Sequence, residues 1–324
     1  MRIAGVGSFL PDRRVTSTEL EDVMKLPAGW VERATGVRER RRATHETTAG
    51  MAADAARRAL AMAGMEPSDL DAIVFASAAP QQAIPCTAAF VQRALGAPDG
   101  GSACWDVNAT CLSFLFALHN LAPLVAGGAY RAVLLVSSEI LTHSLNPAER
   151  ESATLFGDAA AAAVLVRSDG DGEIRAARFV TYSSAAELTE VRGAGTRHHP
   201  NDPGTHPEMN TFRMNGRAIY RRTFPLIVPF LHRVVDEAGW SVPEVDWLVP
   251  HQASGHALTE TAERAGFPPE RVIVNLPERG NCVAASIPLA LAEGVEDGRI
   301  RRGNRLLLAG TGAGLTLGAV ALTF

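Results

Sequence analysis

Apolar positions along the chain fall into short runs separated by longer amphipathic stretches. AIVFAS follows Asp71 and WLVPHQ follows Asp246; both are compact runs of strand length. Each is preceded by a stretch with helical apolar spacing that ends on Ala-Gly, at Gly64 and Gly239, as expected of a glycine that closes a helix. Two small-residue segments, DAAAAAVLV (158–166) and GTGAGLTLGAVAL (310–322), read as buried strands. WDVNAT is extended and gives way at Leu112 to an apolar helix. Helices alternating with short apolar strands predict an α/β protein whose sheets are covered on both faces.

The pattern also repeats. AGMEPSDLDAIVFASA, from Ala63, is echoed by AGWSVPEVDWLVPHQA, from Ala238, and the step from Gly to Asp is 7 residues in both. Two short helices, AAFVQRALG and LTETAERAG, close on Gly96 and Gly266, and 15 positions further on lie Cys111 and Asn281. The expectation is two duplicated halves, 1–167 and 168–324, packed as α/β/α/β/α layers. Cys111 and Asn281 would then sit at equivalent helix starts, facing one site.

Composition narrows the function classes. An apolar share of 47% and a charged share of 20% over 324 residues are those of an ordinary globular protein. A net charge of −4 gives no reason to expect a nucleic acid partner. No apolar run has the roughly 18 residues of a membrane span, and MRIAGVGSFLPDRRV lacks the pattern of a signal peptide. Cys86, Cys104, Cys111 and Cys282 form neither a disulfide framework nor a metal-ligand spacing. The expectation is a reducing, cytoplasmic setting with no metal.

Cys111 carries the first candidate chemistry, because a helix start favours the thiolate; the plain alternative is a buried structural cysteine. His251 stands where a strand leaves its sheet, a place where α/β proteins bind ligands, and a neutral imidazole there serves as acid, base or donor. It could equally be a histidine satisfied at a sheet edge. Asn281 opens an Ala-rich helix, where asparagine is ordinarily an N-cap; its amide could also donate to a carbonyl becoming an enolate. His198, His199 and His206 lie in a polar Pro/Gly-rich loop and are expected to face solvent. GTGAG (310–314) leads into a strand rather than a helix, so its backbone N–H groups suit an oxyanion hole better than a phosphate cradle.

Taken together, GVGSFLP, ATGVRERR, WDVNATC, LFGDAAAAAVL, VPHQAS, ERGNCVAASIPLAL and GTGAGLTLG resemble, over essentially the full length, the β-ketoacyl-ACP synthase III family of the thiolase superfamily. The resemblance implies a five-layered thiolase-like αβαβα fold and a catalytic triad of Cys111, His251 and Asn281. It implies that Cys111 takes an acyl group from acyl-CoA, with the oxyanion held by the N–H groups of Cys111 and Ala313. Malonyl-ACP or malonyl-CoA then undergoes decarboxylative Claisen condensation with that group. No permanently bound cofactor is implied; a homodimer, and docking of an acyl carrier protein, are. Trp30, Arg150, Gly216 and Ser254 correspond to CoA- or pantetheine-binding positions, and Ile84, Thr311 and Leu315 to the acyl pocket.

The chain departs from the family pattern in several places. Ser254 stands where HQAN has asparagine. Ile84, which the resemblance places across the dimer, and Thr311 each replace a phenylalanine, so a medium-chain or branched primer is expected. Ala34 replaces an arginine near Trp30. The basic positions of the carrier-docking helix fall on His256, Glu263 and Arg264, with Arg217 and Arg221 on another helix. Two other readings remain at this stage. One is an acyltransferase of the same fold passing the acyl group to an alcohol or amine; the other is a non-catalytic partner subunit, against which Cys111 argues.

Overall fold

The computed structural model describes residues 1–168 and 172–324. Nine strands build its two principal sheets: β1 (Arg2–Phe9), β2 (Ala72–Ala76), β3 (Ala103–Val107), β4 (Ala132–Glu139), β5 (Ala159–Val166), β6 (Ile174–Thr181), β7 (Trp247–Pro250), β8 (Arg305–Gly312) and β9 (Thr316–Thr323). The first sheet has the order β1-β5-β4-β2-β3, and the second β7-β8-β9-β6. Read from β6, the second repeats the first: an antiparallel pair, a second antiparallel pair, then a parallel one. The strand matching β3 is reduced to one parallel bridge, Leu248 to Val272. All strands of the first sheet precede residue 167, and all strands of the second follow it.

Six helices, α1 (Thr48–Ala63), α2 (Thr87–Leu95), α3 (Ser113–Ala126), α4 (Gly216–Glu237), α5 (Gly255–Arg264) and α6 (Ser286–Glu296), complete the layers. Phe114, Leu115 and Leu118 of α3 and Ile287 and Leu291 of α6 are buried between the sheets, against Val74, Val133, Leu308 and Val320. Burying each such side chain contributes roughly 1.5–3 kcal/mol. Helices α1 and α2 cover the outer face of the first sheet, and α4 and α5 that of the second. This is the thiolase-like five-layered αβαβα fold. The GVG of β1 has a physical reason: a Cβ on Gly5 or Gly7 would stand 2.2 or 2.5 Å from a carbonyl oxygen of α1. Among the described residues, no helix is long and apolar enough to cross a membrane.

The two halves meet at a pair of matching turns. Asn108 Oδ1 accepts the Thr110 N–H at 2.9 Å, and Asn281 Oδ1 accepts the Val283 N–H at 2.9 Å. Thr110 and Val283 both adopt positive φ, 53° and 51°. Ser113 Oγ accepts the Ala109 N–H at 2.9 Å, and Ser286 Oγ accepts the Cys282 N–H at 3.0 Å. The register is therefore Asn108 with Asn281 and Cys111 with Ala284. Equal spacing from Gly96 and Gly266 had set Cys111 against Asn281, and the structure corrects this by 3 positions. The cause is a short helix, Leu276–Arg279, inserted before the second turn.

Candidate active site

Cys111 stands in a 3-10 turn, Thr110–Leu112, that leads into α3. The left-handed Thr110 before it makes a sharp, strained elbow. Thr110 Oγ1 donates to Ala313 O at 3.2 Å, tying this elbow to the Gly-rich turn after β8. A Cβ on Gly312 would come 2.9 Å from that hydroxyl, so glycine permits the approach. The N–H groups of Ala313 and of Cys111 itself both reach the Cys111 sulfur. Two backbone donors converging on one nucleophilic atom are the groups that an oxyanion hole needs.

The resting nucleophile differs from expectation. Burial first, and then the nearby Glu139 carboxylate, push the Cys111 thiol up to about 12, outweighing the two N–H groups. It therefore rests as a thiol at neutral pH, although a helix start favours the thiolate, because desolvation is the larger effect. Cys282 is fully buried and its thiol is also raised, chiefly by burial.

His251 follows β7 directly, and its N–H continues the pairing by donating to Ala309 O at 2.8 Å. Gly310 beside it leaves room for the histidine, since a Cβ there would lie 2.5 Å from His251 Cβ. Burial pushes the imidazole down to about 4, so it is neutral at pH 7, and its Nδ1 has no partner among the described residues. Gln252 is an internal clamp: its amide donates to Pro250 O and Ile273 O and accepts the N–H groups of Asn275 and Leu276.

Asn281 is held from the other half of the chain. Its N–H donates to Leu155 O at 3.0 Å, and its carbonyl accepts the Gly157 N–H at 3.1 Å. Gly157 is required here, because a Cβ would stand 2.2 Å from Arg279 O. With Oδ1 engaged by Val283, the Nδ2 fork of the amide is the remaining donor. Cys111, His251 and Asn281 all line one narrow cavity of about 90 Å³, together with Phe156, Phe212 and Leu315.

A groove of about 630 Å³ leads in from the surface and shares Met214, Ile219, Ala253 and Thr311 with that cavity. Gly216 and Ser254 line it, as do Ala34, Arg217, Arg221 and His256. Trp30 and Arg150 begin two short helices, Trp30–Thr35 and Arg150–Leu155, and lie outside the groove wall. The same helices present Thr35 and Glu151 to the groove instead. Ile84 is 84% exposed and lines neither the reaction cavity nor the groove.

Two supporting residues escaped the sequence reading. Arg40 is fully buried and donates to Ser17 Oγ at 3.1 Å and to Thr154 O at 2.6 Å, fixing the segment that pairs with Asn281. Glu139 ends β4 fully buried, accepting the Ala78 N–H at 2.8 Å, and burial pushes its carboxyl up to about 8. The legible sign of Glu139 was an acid closing the apolar run AVLLVSSE.

Residues 105–183 match the family described as 3-oxoacyl-[acyl-carrier-protein (ACP)] synthase III, and residues 235–324 match its C-terminal counterpart. A β-ketoacyl-[acyl-carrier-protein] synthase III from Rhizorhabdus wittichii is 37% identical over 99% of this chain and 98% of its own length. The crystal structure of 3-oxoacyl-[acyl-carrier-protein] synthase III from Aquifex aeolicus superposes with a TM-score of 0.91 at 33% identity, covering 100% of this chain and 99% of that one. The priming β-ketosynthase of the R1128 polyketide pathway does so with a TM-score of 0.91 at 30% identity, covering 99% and 96%. With the duplicated fold and the convergent cysteine, histidine and asparagine, these likenesses establish that the chain belongs to the β-ketoacyl-[acyl-carrier-protein] synthase III family of condensing enzymes.

Proposed function

We propose that Cys111 is the acyl-carrying nucleophile and that His251 and Asn281 hold the second substrate for decarboxylation. Condensing enzymes of this family join an acyl-CoA primer to malonyl-ACP without a resident cofactor. The observation that carries the assignment of roles is the convergence of the three side chains, from both halves of the chain, on one narrow cavity.

In the first step, Cys111 sulfur attacks the acyl-CoA carbonyl and the neutral His251 is the base at hand for its proton. The N–H groups of Cys111 and Ala313 hold the oxyanion until CoA leaves as a thiol. In the second, a malonyl thioester enters by the groove, its thioester oxygen meeting His251 and the Asn281 amide. Those donors stabilise the enolate left when CO2 departs. The enolate carbon attacks the acyl-Cys111 carbonyl, releasing a β-ketoacyl thioester and the cysteine. An acyltransferase acting on an alcohol or amine would have no use for the amide donor of Asn281.

The groove fits a pantetheine arm, with Gly216 and Ser254 along its wall and Arg217, Arg221 and His256 as its basic side chains. This reading includes a cytoplasmic homodimer in which the exposed Ile84 closes the partner's acyl pocket, with an acyl carrier protein docking at the groove mouth. Intact-protein mass spectrometry tests the roles. An acyl-CoA panel should add one acyl mass to the wild type, and malonyl-ACP or malonyl-CoA should then discharge it as a β-ketoacyl product. Acylation without discharge by either extender would overturn the condensing role of His251 and Asn281.

A further inference from the structure

A third cavity, of about 90 Å³, opens behind His251, away from the nucleophile. Ile227 and Leu231 of α4, Leu258 and Ala262 of α5, and Leu248 of β7 form its apolar walls. It communicates with the entry groove along Thr223, Ala257 and Thr261, and with the reaction cavity at His251, Ala253 and Thr311. Thr311 and Ala253 line all three spaces, so two short side chains stand where they meet. Neither Cys111 nor Asn281 is among the walls.

That placement decides which substrate part fits. A chain attached to Cys111 extends among Phe156, Leu188, Phe212 and Leu315, whose cavity contains the sulfur. The third pocket instead adjoins His251, which in the proposed mechanism holds the extender's thioester oxygen. The extender's α-carbon is bonded to that same carbonyl carbon. We propose that this pocket receives an alkyl group on the α-carbon of the extender, so that the enzyme accepts alkylmalonyl thioesters as well as malonyl. The inference rests on His251 being the extender's ligand.

The chemistry balances without a further reactant. The bond between the α-carbon and the carboxylate breaks, CO2 leaves, and the electron pair becomes an enolate bearing the alkyl group. It forms a bond to the acyl carbonyl carbon, and the carbon–sulfur bond breaks to give Cys111 thiolate, which takes a proton from water. The product is a 2-alkyl-3-oxoacyl thioester. Each methylene moved from water into apolar walls favours the substituted extender by about fourfold.

The test uses the full chain with Cys111 loaded from octanoyl-CoA, extended by malonyl-CoA or butylmalonyl-CoA, and reads the ratio of kcat/KM for the two. The wild type should use butylmalonyl-CoA within tenfold of malonyl-CoA. Ala262→Phe fills the pocket from its far wall and Thr311→Phe closes its mouth. Either should lower the butylmalonyl-to-malonyl ratio at least tenfold, so one unstable variant does not decide the matter. A wild type that extends with malonyl-CoA alone overturns the proposal. So does a pair of variants that shift the octanoyl-to-acetyl loading ratio instead, since the pocket would then house the primer's tail. Loading without product from either extender marks failure of the condensing roles themselves, and the proposal falls with them.

Discussion

Asn108 and Asn281 occupy the same position in two copies of one turn, yet only the second stands in the reaction cavity. Each side-chain oxygen accepts the N–H two residues ahead, and each turn passes through a left-handed residue. In the first copy the turn presents Cys111; in the second it presents its own asparagine amide, with Ala284 at the cysteine's place.

Asn281→Asp separates the two jobs of that side chain. Aspartate keeps the oxygen that accepts the Val283 N–H but lacks the amide donor. Acyl loading from acyl-CoA should persist, while condensation should fall by roughly 10²-fold or more, the usual cost of an oxyanion donor. Mass spectrometry of the loaded enzyme, alongside product formation, reads both steps. An equal loss of both would mean that the residue serves only the turn.

Cys111→Ala should abolish the acyl-enzyme, and alanine at Cys86, Cys104 or Cys282 should leave it intact. Cys111 alone of the four lines the reaction cavity. A labelled acyl group on any other cysteine in the digested protein would refute the assignment.

Much of this arrangement was legible in the sequence, for reasons that differ residue by residue. The strands and their covering helices follow from apolar period, and the repeated Ala-Gly closures exposed the duplication before any contact was known. The pairing of Cys111 with Asn281 was misread because a gap of 15 residues holds different elements in the two halves. Arg40 and Glu139 were hidden for another reason. A buried ionisable side chain looks like any surface charge in one sequence until the fold supplies the carbonyls and amides that receive it.

The role proposed for Ile84, across a dimer interface, makes primer choice testable. Ile84 is 84% exposed in the single chain, which leaves it free to meet a second copy. The protein should sediment as a dimer at micromolar concentration. Ile84→Phe should shift loading from octanoyl- toward acetyl-CoA, by roughly 0.8 kcal/mol for each methylene displaced. A clear acetyl preference in the unmodified enzyme would show that the pocket is already full.

Glu139 should set the pH response of the nucleophile. Its carboxyl, raised to about 8, is neutral below that pH and anionic above it. The anion lies near enough to Cys111 to disfavour a second negative charge, which is part of why the thiol stands at about 12. Above pH 8 the growing charge on Glu139 therefore opposes thiolate formation; below pH 8 it has little effect. Glu139→Gln removes that charge while keeping an oxygen for the Ala78 N–H. Alkylation of Cys111 by iodoacetamide should then be several-fold faster than in the wild type at pH 9 to 10 and nearly the same at pH 6. A purely structural role for Glu139 would change the rate by a similar factor at every pH, so the slope of the difference, and not its size, decides between them.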